Sequence, residues 1–167
     1  GFLIWPAIMF GVYHAAILPI ILLEMEKTGN SFLGAIDMCG LVMVSAGITL
    51  ANVVSPRSKG EATVALPGFL INVGFGTFVE ASYPFMFSDR LVLVGAFISA
   101  ALSGAVAGIF NARGTAYVPS IVAPLLSNNP FGFLISMLVA FASAFLITLV
   151  ANRMHHSGKS DAAESQN

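Results

Sequence analysis

One apolar segment constrains the fold of this chain most, because it contains both helix-breaking residues and a charge. Residues 66–89 are largely apolar, and Glu80 stands among them. Gly74, Gly76 and Pro84 lie close to Glu80 and interrupt a smooth helix. Non-helical backbone occurs inside a bilayer only where protein or a water-filled cavity surrounds it, because lipid offers no partners to free N–H and C=O groups. The segment is therefore predicted to form a re-entrant hairpin that lines a cavity.

A carboxylate at that depth indicates a functional site. A charge in the hydrocarbon costs at least about 2.5–3.5 kcal/mol on insertion scales, so ionisable residues inside membranes usually serve binding or ion transfer. Glu80 is accordingly predicted to be a functional residue. The alternative is that Glu80 lies near the lipid headgroups and is hydrated there.

The composition agrees with a membrane-embedded chain. Of the 167 residues, 57% are hydrophobic and 9% are charged, whereas a soluble domain carries about 25% charged residues. A formal net charge of −1 leaves no basic stripe for phosphates, which argues against a nucleic-acid partner. The single cysteine, Cys39, excludes an internal disulfide. No metal site, cofactor or catalytic motif is predicted, since no ligand set or nucleophile arrangement has suitable spacing.

Four further apolar runs are each long enough to cross a hydrocarbon core of about 30 Å. They cover residues 2–23, 31–55, 91–111 and 131–151. The predicted fold is an all-α integral membrane protein with about four transmembrane helices plus the re-entrant hairpin that carries Glu80. The second run is rich in small residues, which predicts helix packing on more than one of its sides.

Two polar or broken stretches complete the predicted organisation. Residues 1–152 form the membrane-embedded segment, and residues 153–167 are predicted to be a disordered cytoplasmic tail. Residues 115–126, which contain two prolines, are too short to span. They form either an external loop or a second, shallower re-entrant piece.

The distribution of Lys and Arg predicts the orientation. A hairpin that enters and leaves on one face collects Arg57, Lys59, Arg90, Arg153 and Lys159 on that side and leaves Lys27 and Arg113 on the other. By the positive-inside rule the first side is cytoplasmic. The predicted location is the bacterial cytoplasmic (inner) membrane, crossed several times.

The polar residues inside the apolar runs are the predicted substrate-binding set: His14, Glu80, Asn72, Thr77 and Asn52. One imidazole, one carboxylate, amides and hydroxyls suit a neutral polyhydroxylated solute, because each sugar hydroxyl both donates and accepts a hydrogen bond. Proton relay is the rival use of His14 and Glu80, and a structural ion pair between them is a third possibility. Asp37 is a weaker candidate of this polar set, because it is predicted to be an interfacial or capping carboxylate more than a ligand.

Two motifs carry a family resemblance. GVYHAAILPI, at residues 11–20, resembles the G-x-[HY]-H-[AS] segment of the enzyme IIC sugar permeases of the bacterial phosphotransferase system, glucose/glucoside superfamily. Residues 51–87 are similar to that family's Asn-containing helix end, basic loop and G-[IV]-T-E-[PA] hairpin. Val79 and Ala81 stand where the family usually has Thr and Pro, and the spacing from Gly76 to Glu80 is one residue longer.

The resemblance covers most of residues 10–152 and implies the C-terminal half of such a permease domain. The family's sugar-contacting His and Glu correspond to His14 and Glu80. The implied function is that of a membrane component of a phosphoenolpyruvate-dependent sugar phosphotransferase system, which binds and translocates a sugar for phosphorylation by a cytoplasmic partner. The implied partners are the sugar, a phosphorylated enzyme IIB domain that holds the donor cysteine, the N-terminal half of the permease, a second copy in a homodimer, and the lipid bilayer.

Two other functions remain open at this point. A proton-coupled secondary transporter uses the same pair, His14 and Glu80, to carry protons. A permease-derived membrane sensor or regulator accommodates the altered residues around Glu80.

Overall fold

Helices make up most of the part of the chain that the structure describes, and an irregular loop joins the last two of them. A computed structural model describes residues 1–164, without the side chains of Lys59 and of residues 156–164. Its α-helices, in chain order, are α1 (Ile4–Met9), α2 (Leu18–Thr28), α3 (Phe32–Val54), α4 (Lys59–Phe75), α5 (Tyr83–Ser88), α6 (Arg90–Ile109) and α7 (Pro130–Glu164). A π-helical turn precedes α2 (Tyr13–Ile17), a second one lies within α3 (Met38–Met43), and two 3-10 turns (Val79–Ser82 and Ala123–Leu126) complete the structure. The predicted all-α membrane class is confirmed.

Three of these helices are long and apolar enough to cross a membrane: Phe32–Val54, Arg90–Ile109 and Pro130–His155. The first of them, α3, is the centre of the bundle, because 83% of its most apolar stretch is buried, against 39% for α6 and 33% for α7. A Cβ on Gly47 of α3 would lie 2.6 Å from the Phe141 carbonyl oxygen of α7. The predicted packing of this helix on more than one side is therefore confirmed, and small residues make it possible.

The first apolar run does not form one spanning helix, so the prediction for residues 2–23 is wrong. Gly11 adopts a left-handed conformation (φ +74°) that separates α1 from the π-helical turn before α2. The α2 helix has 11 residues, and with the 5-residue π-helical turn that leads into it the helical stretch has 16 residues. At 1.5 Å per residue this is about 24 Å, which is short of a hydrocarbon core of about 30 Å. The predicted count of about four transmembrane helices thus becomes three.

The last helix continues into the polar C-terminal residues. The α7 helix is assigned to Glu164, within the stretch 153–167 for which the sequence predicts a disordered tail, and residues 165–167 lie outside the described residues. Extending a long helix fixes one residue for each new hydrogen bond, whereas starting a helix is unfavourable. The preceding span supplies the nucleus that a free polar tail lacks.

The segment around Glu80 leaves the bundle end near Arg57 and returns to it. The Arg57 Nη2 donates to Asp89 Oδ2 over 2.5 Å, and the Arg57 Nε donates to Asn152 Oδ1 over 2.8 Å. Burial raises the pKa of Asp89, but the Leu91 backbone N–H and Arg57 outweigh this effect and hold the pKa below its ordinary value. Residues 58–88 therefore form a closed hairpin, and the end of the bundle that holds this ion pair is called the Arg57 end below.

At its tip the hairpin makes a sharp turn. Gly76 and Phe78 are both left-handed (φ +66° and +67°), and a 3-10 turn follows them. The loop between α6 and α7 folds over this tip, since the Ser120 N–H donates to the Val73 carbonyl over 2.9 Å. Of the two options for residues 115–126, the structure shows a piece that packs back against the hairpin.

The ion pair at the Arg57 end should stabilise the fold. Arg57→Ala removes charged hydrogen bonds to Asp89 and Asn152, and each bond to a charged group contributes about 1.5–3 kcal/mol. We expect a clear fall in the free energy of unfolding, measured by denaturant titration in detergent. Arg153→Ala is the matched control, because that side chain is exposed at the same end. Equal losses in both variants would contradict the prediction.

The hairpin tip should not tolerate a side chain at Gly76. A Cβ there would lie 2.0 Å from the Val118 carbonyl oxygen, and a left-handed backbone costs an L-residue about 1–2 kcal/mol. Gly76→Ala is expected to lower the melting temperature markedly. Gly74→Ala, with nothing within 4 Å of the new Cβ, should be neutral or stabilising in α4. A Gly76→Ala protein that melts like the Gly74→Ala protein would refute the close approach of loop and tip.

Candidate functional site

A small cavity lies where the hairpin tip meets α3, the N-terminal segment and the loop before α7. It is lined by Ile8, Tyr13, His14, Asp37, Leu41, Val42, Gly76, Thr77, Val79, Glu80 and Tyr117. Its volume is about 80 Å³. A buried water needs roughly 10–15 Å³ on this scale, and a small-molecule pocket measures about 300 Å³ or more. In this conformation the cavity is large enough for several waters and too small for a whole sugar.

The cavity brings His14 and Glu80 together, although they are far apart in the sequence. His14 stands on the π-helical turn Tyr13–Ile17, a type of distortion that is frequent at functional sites. Glu80 stands on the 3-10 turn after the hairpin tip. Among the described residues the ion pair within 4.0 Å is Arg57–Asp89, so the structural ion pair between His14 and Glu80 is not found. Both side chains are exposed, and both are free to contact a ligand.

Hydrogen bonds from α3 and α4 fix the backbone next to Glu80. The Val79 carbonyl accepts from Ser45 Oγ over 3.1 Å and from Ser82 Oγ over 2.7 Å. The Asn72 Nδ2 in turn donates to Ser45 Oγ over 2.9 Å. These bonds hold the turn that presents the Glu80 carboxylate.

The other predicted site residues divide between the cavity and its surroundings. Thr77 lines the cavity beside Glu80. Asn72 is buried behind it and acts on the hairpin through Ser45. Asn52 lies at the Arg57 end, where its Oδ1 accepts from Asn152 Nδ2 over 2.9 Å. Asn52 thus helps to close the hairpin and does not line this cavity.

Asp37 belongs to the cavity, and its prediction as an interfacial or capping carboxylate is wrong. Its side chain is buried and accepts a hydrogen bond from the Tyr13 hydroxyl over 2.5 Å. The N-terminal cap of α3 is Ser31, whose Oγ accepts from the Gly34 N–H over 3.2 Å. The sequence did contain an indication of this result: Ser31 is a good N-capping residue, so Asp37 was not needed as the cap.

Tyr117 is a further lining residue that the sequence did not indicate. It comes from the loop over the hairpin tip and has a left-handed backbone (φ +58°). Burial raises the pKa of its phenol, contact with Tyr13 opposes the rise, and the Asp37 and Glu80 carboxylates add to it. Tyr117 therefore stays protonated at neutral pH and is able to donate a hydrogen bond.

The polar lining consists of two carboxylates, one imidazole and three hydroxyls. Lys and Arg are absent from the described residues that form it. Such a mixture suits a neutral solute with many hydroxyl groups, because carboxylates accept from hydroxyls while tyrosine and threonine both donate and accept. A phosphate or carboxylate group placed in this cavity would meet repulsion from Asp37 and Glu80, so the part of a ligand that is held here is neutral.

The chain is similar to two curated relatives, each named "PTS system MurNAc-GlcNAc-specific EIIBC component", from two strains of Staphylococcus epidermidis. Each is 31% identical to it over 152 residues, which is 86% of this chain and 31% of the relative. No protein-family model matches the chain, and no solved structure matches it.

The chain thus spans about a third of the length of the relatives that it matches. Its sequence is similar to about a third of each of these EIIBC components.

Proposed function

We propose that the chain is part of a membrane component of a phosphoenolpyruvate-dependent sugar phosphotransferase system. It would bind a sugar and help to move it across the membrane for phosphorylation by a cytoplasmic partner. The observation that carries this proposal is the single cavity lined by His14, Glu80 and Thr77 in a chain that is similar to EIIBC components. The mixed polar lining fits the hydroxyl groups of a sugar.

The finer assignments are part of the same proposal. The glucose/glucoside superfamily and the C-terminal half of a permease domain follow from the two motifs, around His14 and around Glu80. The remaining partners would be the N-terminal half of the permease, a phosphorylated enzyme IIB domain and a second copy in a homodimer. The name of the two relatives makes MurNAc-GlcNAc the first ligand to test.

The orientation proposed for the bundle rests on where its charges lie. Helix α3 runs toward the Arg57 end, α6 starts there and α7 returns to it, because Arg57 contacts both Asp89 and Asn152. Arg90 and Arg153 share that end, while the Ser31–Gly114 backbone pair marks the opposite one, near Lys27. We propose that the Arg57 end faces the cytoplasm of a bacterial inner membrane that the chain crosses several times.

Cysteine labelling tests this orientation. In a Cys39→Ser background, Lys27→Cys should react with a membrane-impermeant maleimide on intact cells, and Arg90→Cys should react only after the cells are lysed. Both side chains are exposed, so access rather than burial decides the result. Reaction of Arg90→Cys on intact cells would contradict both the orientation and the same-side closure of the hairpin.

A second candidate function is that of a proton-coupled carrier, and the lining of the cavity favours it. Two carboxylates and an imidazole line a cavity with room for waters, which is an arrangement suited to proton transfer. The two functions assign different work to Glu80: it holds sugar hydroxyls in the permease and carries a proton in the carrier.

Glu80→Gln separates the two functions. Loss of one hydrogen bond to a charged group costs about 1.5–3 kcal/mol, so sugar binding should weaken roughly tenfold to more than a hundredfold in the permease. In a carrier, Gln imitates the protonated carboxyl, so binding persists while accumulation fails. The measurements are sugar binding to the intact protein, and uptake with and without an uncoupler in cells that lack the phosphate relay.

Two results would decide the matter. Uptake that continues without the relay and stops with the uncoupler would exclude the phosphotransferase function. Sugar recovered in the cell only as its phosphate, with both binding and phosphorylation lost in Glu80→Gln, would exclude the carrier.

A further inference from the structure

We infer that Tyr13 is a second sugar-contacting residue and that Asp37 is the positioning residue that fixes its hydroxyl. This inference rests on the proposed function and assigns roles to two lining residues beyond His14, Glu80 and Thr77. It also defines the ligand group that Tyr13 takes, which is a neutral hydroxyl or amide N–H donor.

The Tyr13–Asp37 pair is an unusual contact for the interior of a membrane protein. Asp37 is 4% exposed and Tyr13 is 2% exposed, and both line the cavity. Among the described residues, Asp37 has no cationic partner within 4.0 Å. A buried carboxylate held by one hydroxyl is costly, since burial removes its hydration and one neutral donor replaces little of it. The cost of burying such a carboxylate is expected where a functional site requires that carboxylate.

The hydrogen bond determines what Tyr13 offers to the cavity. A tyrosine hydroxyl has one proton to donate and also accepts hydrogen bonds. Its proton is directed to Asp37 Oδ1 and Tyr117 is in hydrogen-bond contact with the same hydroxyl, so its remaining capacity toward a ligand is one acceptor position. Donation to a carboxylate also polarises the hydroxyl and strengthens that acceptor in a low-dielectric site. Tyr13 therefore suits a donor group of the ligand.

Glu80 presents a second acceptor from another wall of the same cavity. Two acceptors on separate segments would hold two donor groups of one sugar ring and fix its orientation. The imidazole of His14 remains to donate to the ring oxygens, whereas Tyr117 is already in hydrogen-bond contact with Tyr13. A negatively charged group would be repelled by both walls, so the part of the ligand held here is neutral.

A purely structural role for the pair is the competing explanation. The Tyr13–Asp37 bond joins the N-terminal segment to α3, and losing it would lower stability whether or not a sugar binds. The two explanations differ in how substitutions combine. If Asp37 acts on the ligand through Tyr13, then Asp37→Asn has no further effect on affinity once Tyr13→Phe has removed the hydroxyl.

The experiment is a double-mutant cycle on sugar affinity in the intact protein. MurNAc-GlcNAc binding is measured calorimetrically in detergent, and each variant's melting temperature is recorded. Tyr13→Phe should weaken binding about two- to tenfold, the effect of one neutral hydrogen bond. Asp37→Asn should weaken it by a similar or smaller factor, and the double variant should match Tyr13→Phe. Adding Glu80→Gln to Tyr13→Phe should weaken binding further by its full separate factor.

Tyr83→Phe is the matched control, since this tyrosine lies on α5 and does not line the cavity. Its affinity should equal that of the unaltered protein. If Tyr13→Phe and Asp37→Asn bind normally while Glu80→Gln binds weakly, the inference is wrong and the proposed function stands. Additive effects of Tyr13→Phe and Asp37→Asn, or weaker binding accompanied by loss of cooperative melting in both, would assign the pair a structural role. An unaltered protein that binds no sugar would refute the proposed function and this inference together.

Discussion

The backbone N–H and C=O groups at the hairpin tip need hydrogen-bond partners, and the surrounding structure supplies them. The tip interrupts a helix among apolar segments, where lipid offers no partners to N–H and C=O groups. Ser45 and Ser82 donate to the Val79 carbonyl, and Ser120 donates its N–H to the Val73 carbonyl. The partners come from the central helix, from the hairpin itself and from the loop after α6. Helix α3 and the loop are therefore arranged around the tip.

The same arrangement links stability to the site. The hairpin is closed at one end by Arg57 and Asp89 and covered at its tip by the loop, so Glu80 is held between two fixed points. Asn72 and Asn52, which the sequence offers as ligands, belong to these two supports instead. A polar residue inside an apolar run can therefore hold irregular backbone in place as well as contact a substrate.

The sequence predicted the features that depend on local chemistry. Glycines and prolines around Glu80 indicated the hairpin, apolar length indicated the spans of α3, α6 and α7, and a motif indicated His14. It could not show which polar groups meet, because that depends on helix register and on long-range contacts. Asp37 was therefore misplaced, and Tyr117 was missed, since its loop reaches the cavity only through tertiary packing. The first run was misjudged because apolar length does not reveal the left-handed turn at Gly11.

The π-helical turn Met38–Met43 gives α3 two different rotational phases. A π turn inserts one extra residue into the helical circuit, and one residue corresponds to a rotation of about 100° in a regular α-helix. Side chains before the turn, Asp37 among them, are thereby rotated relative to those after it, such as Ser45. One helix presents a carboxylate to the cavity and a hydroxyl to the hairpin tip. Deleting a single residue from this turn would uncouple the two tasks without removing either side chain.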